Sequence, residues 1–145
     1  LIFIKRLIDR IKNIKYDFYG VNNKEPIWGD VFYRAITNSK MGLNLSRGTP
    51  TKHYSSNRIA TFVGNGLLTF IDEKVKMDTF FKKDELIFYS NLEDLVDKIN
   101  FYSRNNKSRI HISKKGQKKY FKLFNEKKVS KYIVDISLGK LVNLY

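Results

Sequence analysis

The sequence predicts an α/β fold, a doubly wound and Rossmann-like sheet of mostly parallel strands flanked by helices, with extra C-terminal helices. Short, nearly continuous apolar segments alternate along the chain with segments of helical periodicity, as in sheets covered on both faces. The length of 145 residues is that of one ordinary domain. A hydrophobic content of 42%, with only two prolines, is typical of a globular chain built from regular elements.

The N-terminal third is assigned from apolar spacing and from glycine positions. The first helix is predicted from the helical spacing of its apolar residues, with charged residues on its other side. A short aromatic run ending in glycine, residues 16–21, predicts a strand. A helix over residues 27–39 and a second strand over residues 41–46 follow. The apolar residues of the first helix are Ile4, Leu7, Ile8, Ile11 and Ile14.

The remaining elements follow from the same patterns. A long loop leads into a short helix over residues 57–65, and an apolar strand follows over residues 67–72. A helical turn over residues 76–81 precedes another strand over residues 85–90. The next helix opens with a capping-box pattern that begins at Ser90. Two further helices are predicted over residues 107–124 and 128–138.

The loop between the second strand and its helix is the candidate binding segment. Ligands of such sheets lie outside the carboxyl ends of the strands. Free N–H groups at a helix start, together with the helix dipole, favour a phosphate, and forked arginines add matching donors. A purely structural alternative stays open, in which these residues only cap a helix and Arg58 pairs with a surface carboxylate. The candidates are the arginines Arg47 and Arg58, the N-cap types Ser55, Ser56 and Asn57, and the adaptable Gly48.

The net charge of +14 implies an anionic partner: nucleic acid, a phosphorylated small molecule or an anionic membrane. The charge is uneven, because residues 101–145 hold twelve Lys and Arg against only Glu126 and Asp135. A solvated helix face explains this run as well as a binding surface does.

The sequence lacks the motifs of several other kinds of functional site. No cysteine is present, which excludes disulfides and thiolate zinc sites and fits a reducing compartment such as the cytoplasm. There is no D-x-D pair, P-loop or G-x-G-x-x-G fingerprint, and His53 and His111 are not spaced for a metal, so no metal is expected. His53, in the candidate loop, is either a phosphate contact or a plain exposed histidine. No apolar run approaches the ~20 residues that span a bilayer.

An ordered series of motifs covers most of the chain: "GLNLSRG", "SNRIATFVGNGLLTFID", "FFKKDELIFYSNLEDLVDKINFY" and "RIHISKKGQKKYFKLF". The series resembles the C-terminal, donor-binding domain of two-domain (GT-B) glycosyltransferases, in the group that includes the CgeB-like spore-maturation enzymes. The resemblance implies that residues 1–145 are one Rossmann-like domain, the C-terminal half of such an enzyme. It also implies a missing N-terminal domain that carries the acceptor site.

The resemblance assigns roles to residues and partners. The donor is a nucleoside-diphosphate sugar, bound without a metal; the acceptor is a saccharide, lipid or protein. Arg47 and Gly48 match the family's loop, Arg58 its helix arginine and Gly66 its closing glycine. The family's helix glutamate falls on Thr61, a weaker acceptor for ribose or sugar hydroxyls. The capping residues and the loop tyrosine complete the prediction, with Tyr54 and Thr61 as contacts for the sugar or ribose. The predicted donor-binding residues are Arg47, Gly48, Tyr54, Ser55, Ser56, Asn57, Arg58, Thr61 and Gly66.

Two further expectations concern partners. A cytoplasmic, membrane-peripheral location is expected, with the basic C-terminal helices facing an anionic membrane. The alternative to the glycosyltransferase interpretation is a non-catalytic basic α/β module, which would bind nucleic acid or another polyanion through residues 107–131.

Overall fold

The computed structural model describes residues 2–21, 23–46, 48–54 and 56–140. Within them, a parallel sheet of three strands lies at the centre, in the order β1-β2-β3. Strand β1 spans Met41–Asn44, β2 spans Leu68–Asp72 and β3 spans Ile87–Tyr89. Helices flank this sheet, so the predicted α/β, Rossmann-like fold is confirmed.

Six α-helices belong to the described residues. They are α1 (Ile2–Arg10), α2 (Gly29–Thr37), α3 (Asn57–Gly64), α4 (Leu92–Arg104), α5 (Asn106–Leu123) and α6 (Glu126–Ser137). Helix α3 makes the crossover from β1 to β2. The crossover from β2 to β3 contains two short 3-10 helices, Glu73–Val75 and Met77–Thr79, where the sequence predicts one helical turn.

Alternation along the strands divides the core between the two faces of the sheet. Leu68 and Phe70 of β2 point to the face covered by α1 and α4, where they join Leu95. Ile71 points to the opposite face and packs in one cluster with Val63 of α3. Both faces are therefore buried, which is why the strands are nearly continuous apolar runs rather than alternating ones.

The predicted strand over residues 16–21 is wrong. These residues form no strand in the structure, and Tyr16 and Tyr19 are 44% and 41% exposed. The ring of Tyr16 stacks on Phe18 with a centroid distance of 5.9 Å, and the Lys24 ammonium lies 5.0 Å from the Phe18 centroid. The aromatic side chains of this segment make local contacts, because no neighbouring strand among the described residues forms backbone hydrogen bonds with it.

Helix α1 is also shorter than its apolar spacing predicts. It ends at Arg10, and Asn13 takes a left-handed conformation (φ 63°) shortly after. Ile14 nevertheless packs against the same cluster as Leu7 and Ile11. The apolar pattern therefore identifies the buried residues correctly, while the turn at Asn13 sets the end of the helix.

Close backbone approach holds α3 against the sheet. A Cβ added at Gly42 of β1 would lie 2.6 Å from the Phe62 ring, so only glycine lets this ring lie on the strand. Gly66 closes α3 in the left-handed conformation (φ 75°). The N–H of Gly66 donates to Val63 (3.0 Å) and that of Leu67 to Phe62 (2.9 Å), which is the Schellman pattern.

Helix α5 crosses the amino edge of the sheet, where the strands begin. A Cβ added at Gly116 would lie 2.2 Å from the carbonyl oxygen of Glu85, two residues before β3. The neighbouring Gln117 side chain donates to the Gly64 carbonyl (2.8 Å), at the end of α3. Helix α5 is therefore in direct contact with the backbone at this edge.

Gly116→Ala is expected to destabilise the protein by about 2 kcal/mol, because the added methyl group overlaps backbone that cannot rotate away. In an unobstructed helix the same change would stabilise by up to about 1 kcal/mol. Gly64→Ala is the matched control, since the nearest atom to its added Cβ is Tyr120 Cε1 at 4.0 Å. Urea unfolding of both variants measures the difference, and equal stabilities would contradict the close contact.

Candidate functional site

The carboxyl edge of the sheet is formed by the last residues of the three strands. These are Asn44, Asp72 and Tyr89, from β1, β2 and β3. Because the strands are parallel, their last residues lie along one edge. Asp72 pairs with Tyr89 in the register, and Asn44 lies one position earlier, opposite Ile71. Helix α5 packs at the opposite edge, and ligands of parallel α/β sheets bind outside the carboxyl ends of the strands, so the carboxyl edge is the candidate site.

A hydrogen-bonded chain joins the end of β1 to the start of α3. The Ser56 hydroxyl donates to Asn44 Oδ1 (3.1 Å), and Asn44 is only 3% exposed. Ser56 is also the N-cap of α3, where its Oγ accepts from the Arg58 N–H (3.3 Å). The predicted cap of this helix is thus confirmed, and the same residue fixes the helix start to the strand end.

Arg58 lies beside the loop that follows β1. Its guanidinium donates to the carbonyl oxygen of Leu45, the first residue after the strand. A guanidinium has five N–H donors, so this contact orients the group and leaves further donors for an anion. Arg58 is exposed, and no carboxylate of the described residues pairs with it. The alternative in which Arg58 serves a surface ion pair is therefore not what the geometry favours.

His53 fastens the middle of the same loop to the segment after β2. Its backbone N–H donates to the Val75 carbonyl oxygen (2.7 Å), and its imidazole Nε2 lies 3.2 Å from Thr79 Oγ1. The imidazole packs edge-on against Phe80 with a centroid distance of 5.0 Å. His53 is half-buried and takes a left-handed conformation (φ 59°). His53 therefore connects the loops that follow β1 and β2, and it is not the plain exposed histidine of the second alternative.

Asp72 and Tyr89 are register partners at this edge. Asp72 Oδ1 accepts from the Lys74 N–H (2.8 Å) and so caps the first 3-10 helix. Tyr89 is 4% exposed. Burial, and secondarily the nearby Asp72 charge, raises the pKa of the Tyr89 phenol far above its ordinary value. The phenol therefore stays protonated and can donate a hydrogen bond.

The start of α4 borders this edge and carries a second cap. Asn91, not the predicted Ser90, is the N-cap, and its side chain accepts from the Asp94 N–H (3.0 Å). The Asp94 carboxylate accepts in return from the Ser90 N–H (2.9 Å) and pairs with Lys98 (2.7 Å). Partial burial would raise the pKa of Asp94, but these hydrogen bonds and the Lys98 charge outweigh it, so the pKa lies below its ordinary value.

Comparison with known proteins gives one match. A family model described as glycosyl transferase-like matches residues 2–135. The chain belongs to the glycosyl transferase-like family. No curated protein and no solved structure matches the chain significantly. The family assignment agrees with the resemblance read from the motif series, and it supports glycosyl transfer in general.

The predicted donor-binding residues of this glycosyl transferase-like chain fall into three groups. Ser56, Asn57 and Arg58 lie together at the start of α3, and Thr61 lies one turn further along, with its hydroxyl donating to the Asn57 carbonyl (3.1 Å). Gly48 and Tyr54 are exposed in the loop. Gly66 is at the other end of α3, beside α5. Arg47 and Ser55 lie outside the described residues.

Sequence reasoning did not single out Asn44, Asp72 or the fastening by His53. A signal existed for the first two, since each is the polar residue that ends an apolar strand, in "MGLN" and "LLTFID". The partners of His53 are separated from it by more than twenty residues, so no local pattern indicates them.

Among the described residues, no three His, Asp or Glu side chains cluster as metal ligands would. None of the helices in the described part of the chain has the length and apolar content needed to cross a membrane.

Asp94→Ala is expected to destabilise the protein by about 1 kcal/mol at pH 7, because it removes the capping acceptor at the start of α4. The folded-state pKa of Asp94 is below its ordinary value of 3.8, so the unfolded state binds the proton more readily. The advantage of the wild type is therefore complete well above pH 4 and disappears as the pH falls through the lower, folded-state pKa.

Urea unfolding of both proteins between pH 7 and pH 3 measures this dependence. Asp97→Ala is the control, because Asp97 is an exposed carboxylate in the middle of the same helix. A pH-independent gap between Asp94→Ala and the wild type would contradict the assignment.

Proposed function

We propose that this chain is the donor-binding domain of a two-domain glycosyltransferase and holds the diphosphate of a nucleoside-diphosphate sugar at the carboxyl edge of its sheet. The observation that carries the proposal is the joint placement of the α3 start and Arg58 directly after β1, through the Ser56–Asn44 and Arg58–Leu45 hydrogen bonds. Membership of the glycosyl transferase-like family supports the same class of reaction.

The diphosphate would meet three kinds of donor. The first is the Arg58 guanidinium, which is already oriented toward the loop by Leu45. The second is the N–H of Asn57, the first residue of α3, which has no acceptor among the described residues. The third is the exposed loop with Gly48 in the left-handed conformation (φ 69°), where a bare backbone lets a phosphate approach closely.

The N–H groups of Arg58 and Ile59 are already used by Ser56, through its Oγ (3.3 Å) and its carbonyl (3.0 Å). The helix start is therefore capped by its own chain, and anion binding there depends on the arginine charge more than on free N–H groups. Charge that develops on the leaving diphosphate is stabilised by these fixed donors, without a metal, in the manner of a preorganised electrostatic site.

The other half of the reaction lies outside this chain in the proposal. The acceptor, a saccharide, lipid or protein, and the group that deprotonates it would be supplied by an N-terminal domain facing the carboxyl edge. Tyr54, exposed in the loop, and Thr61 are the proposed contacts for the ribose or the sugar.

Isothermal titration of the full chain with UDP, GDP and ADP tests donor binding. One nucleotide is expected to bind with a micromolar Kd. Arg58→Ala is expected to weaken binding about thirtyfold or more, because a charged hydrogen bond contributes about 2 kcal/mol.

Arg104→Ala is the matched control, since Arg104 is an exposed arginine at the far end of α4, and it should leave Kd unchanged. Thermal melts establish that both variants are folded. Failure of all three nucleotides to bind, with salt-sensitive binding of DNA or heparin instead, would contradict the proposal.

Thr61→Glu tests the departure from the family pattern. Threonine offers one weak acceptor, whereas a carboxylate accepts two hydroxyl donors. Since only the nucleotide carries ribose hydroxyls, the variant should bind the nucleoside diphosphate more tightly relative to inorganic pyrophosphate. Competition titrations give this ratio, and Thr61→Gln separates hydroxyl recognition from added charge. An equal loss for both ligands would mean that Thr61 faces only the diphosphate.

A further inference from the structure

Helix α6 carries an apolar stripe that the described residues leave uncovered. Val129, Ile133 and Ile136 recur at the helical spacing of four and three residues and are 41%, 57% and 50% exposed. Among the described helices and strands, none makes an extensive contact with α6. The stripe therefore belongs to an amphipathic helix whose apolar side faces outward.

The polar side of α6 carries two ion pairs. Asp135 is buried, at 8% exposure, between the ammonium groups of Lys131 (2.5 Å) and Lys140 (3.5 Å). Its negative charge is thus compensated by one lysine of α6 and by Lys140, which follows the helix. Glu126 is then the sole exposed carboxylate of residues 106–140, and the other exposed charged groups there are cationic.

Helix α5 extends this basic character. It contains seven Lys and Arg and no Asp or Glu. One of the seven, Lys115, pairs with Asp84 at 2.6 Å, and the described residues supply no ion pair for the others. Ile110 and Phe121 are 44% and 53% exposed on the same helix, so apolar and cationic groups are mixed on this surface too.

This combination distinguishes between three kinds of occupant. Protein interfaces are depleted in lysine, so a lysine-rich surround disfavours a protein partner or a second copy. A nucleic acid is bound through its phosphates and has no use for an aliphatic stripe. An anionic bilayer uses both features, since lysines reach the headgroups while the aliphatic side chains enter the boundary of the acyl region.

We propose that α6, supported by the basic outer side of α5, is an interfacial helix that docks the protein on an anionic lipid bilayer. The helix lies in the plane of the membrane, with Val129, Ile133 and Ile136 inserted and the lysines of residues 107–131 at headgroup level. Donor binding at the carboxyl edge is a separate property, so this proposal does not rest on it.

Sedimentation with vesicles tests the proposal. The full chain should bind phosphatidylcholine vesicles with 30% phosphatidylglycerol at least tenfold more tightly than pure phosphatidylcholine vesicles, and less tightly as salt rises. Ile136→Glu should lower the partition coefficient at least tenfold. Val31→Glu, in α2, is the matched control, because Val31 is also 50% exposed, and it should bind as the wild type does.

Three results would overturn the proposal. One is the lack of binding to either vesicle. Another is anionic-vesicle binding that Ile136→Glu leaves unchanged, which would reduce the surface to a polyanion site. The last is a concentration-dependent dimer in sedimentation velocity that Ile136→Glu abolishes, which would assign the stripe to a second copy. Unchanged nucleotide binding by Ile136→Glu keeps these outcomes distinct from failure of donor binding.

Discussion

The hydrogen bond from the Ser56 hydroxyl to the buried Asn44 side chain is the contact on which the candidate site depends. It joins the end of β1 to the cap of α3, which lies twelve residues further along the chain. A buried amide without a partner is costly, so this contact both satisfies Asn44 and fixes the helix start. Arg58 follows two residues later, and its orientation toward Leu45 is therefore a consequence of where the cap is held.

The two edges of the sheet differ in their contacts. At the amino edge, Gly116 brings α5 into contact with the backbone before β3, and Gln117 binds the end of α3. At the carboxyl edge, polar side chains end the strands, and the loops are fastened to one another by His53 rather than covered. The packing contacts of α5 are thus at one end of the strands, and the polar groups of the candidate site are at the other end.

The sequence was sufficient for the fold class and for most elements, because buried strands and amphipathic helices leave a periodic signal. It failed at residues 16–21, where the composition favours a strand but no neighbouring strand pairs with it. It also placed the α4 cap on Ser90 instead of Asn91, since both residue types are suitable and only the backbone decides. The start of the site at Ser56 was predictable from its capping chemistry. The Leu45 acceptor of Arg58 and the partners of His53 were not, because they depend on long-range contacts.

The brevity of the outer strands bears on self-association. Among the described residues, β1 and β3 form the two borders of the sheet and have four and three residues. An exposed border of backbone donors and acceptors can recruit a foreign strand, and short borders flanked by charge are one way in which proteins prevent this. Lys40 immediately precedes β1, so an incoming chain would find few ladder positions and a positive charge at their start. The short outer strands and the Lys40 charge therefore limit the ladder that an incoming strand could form on this sheet.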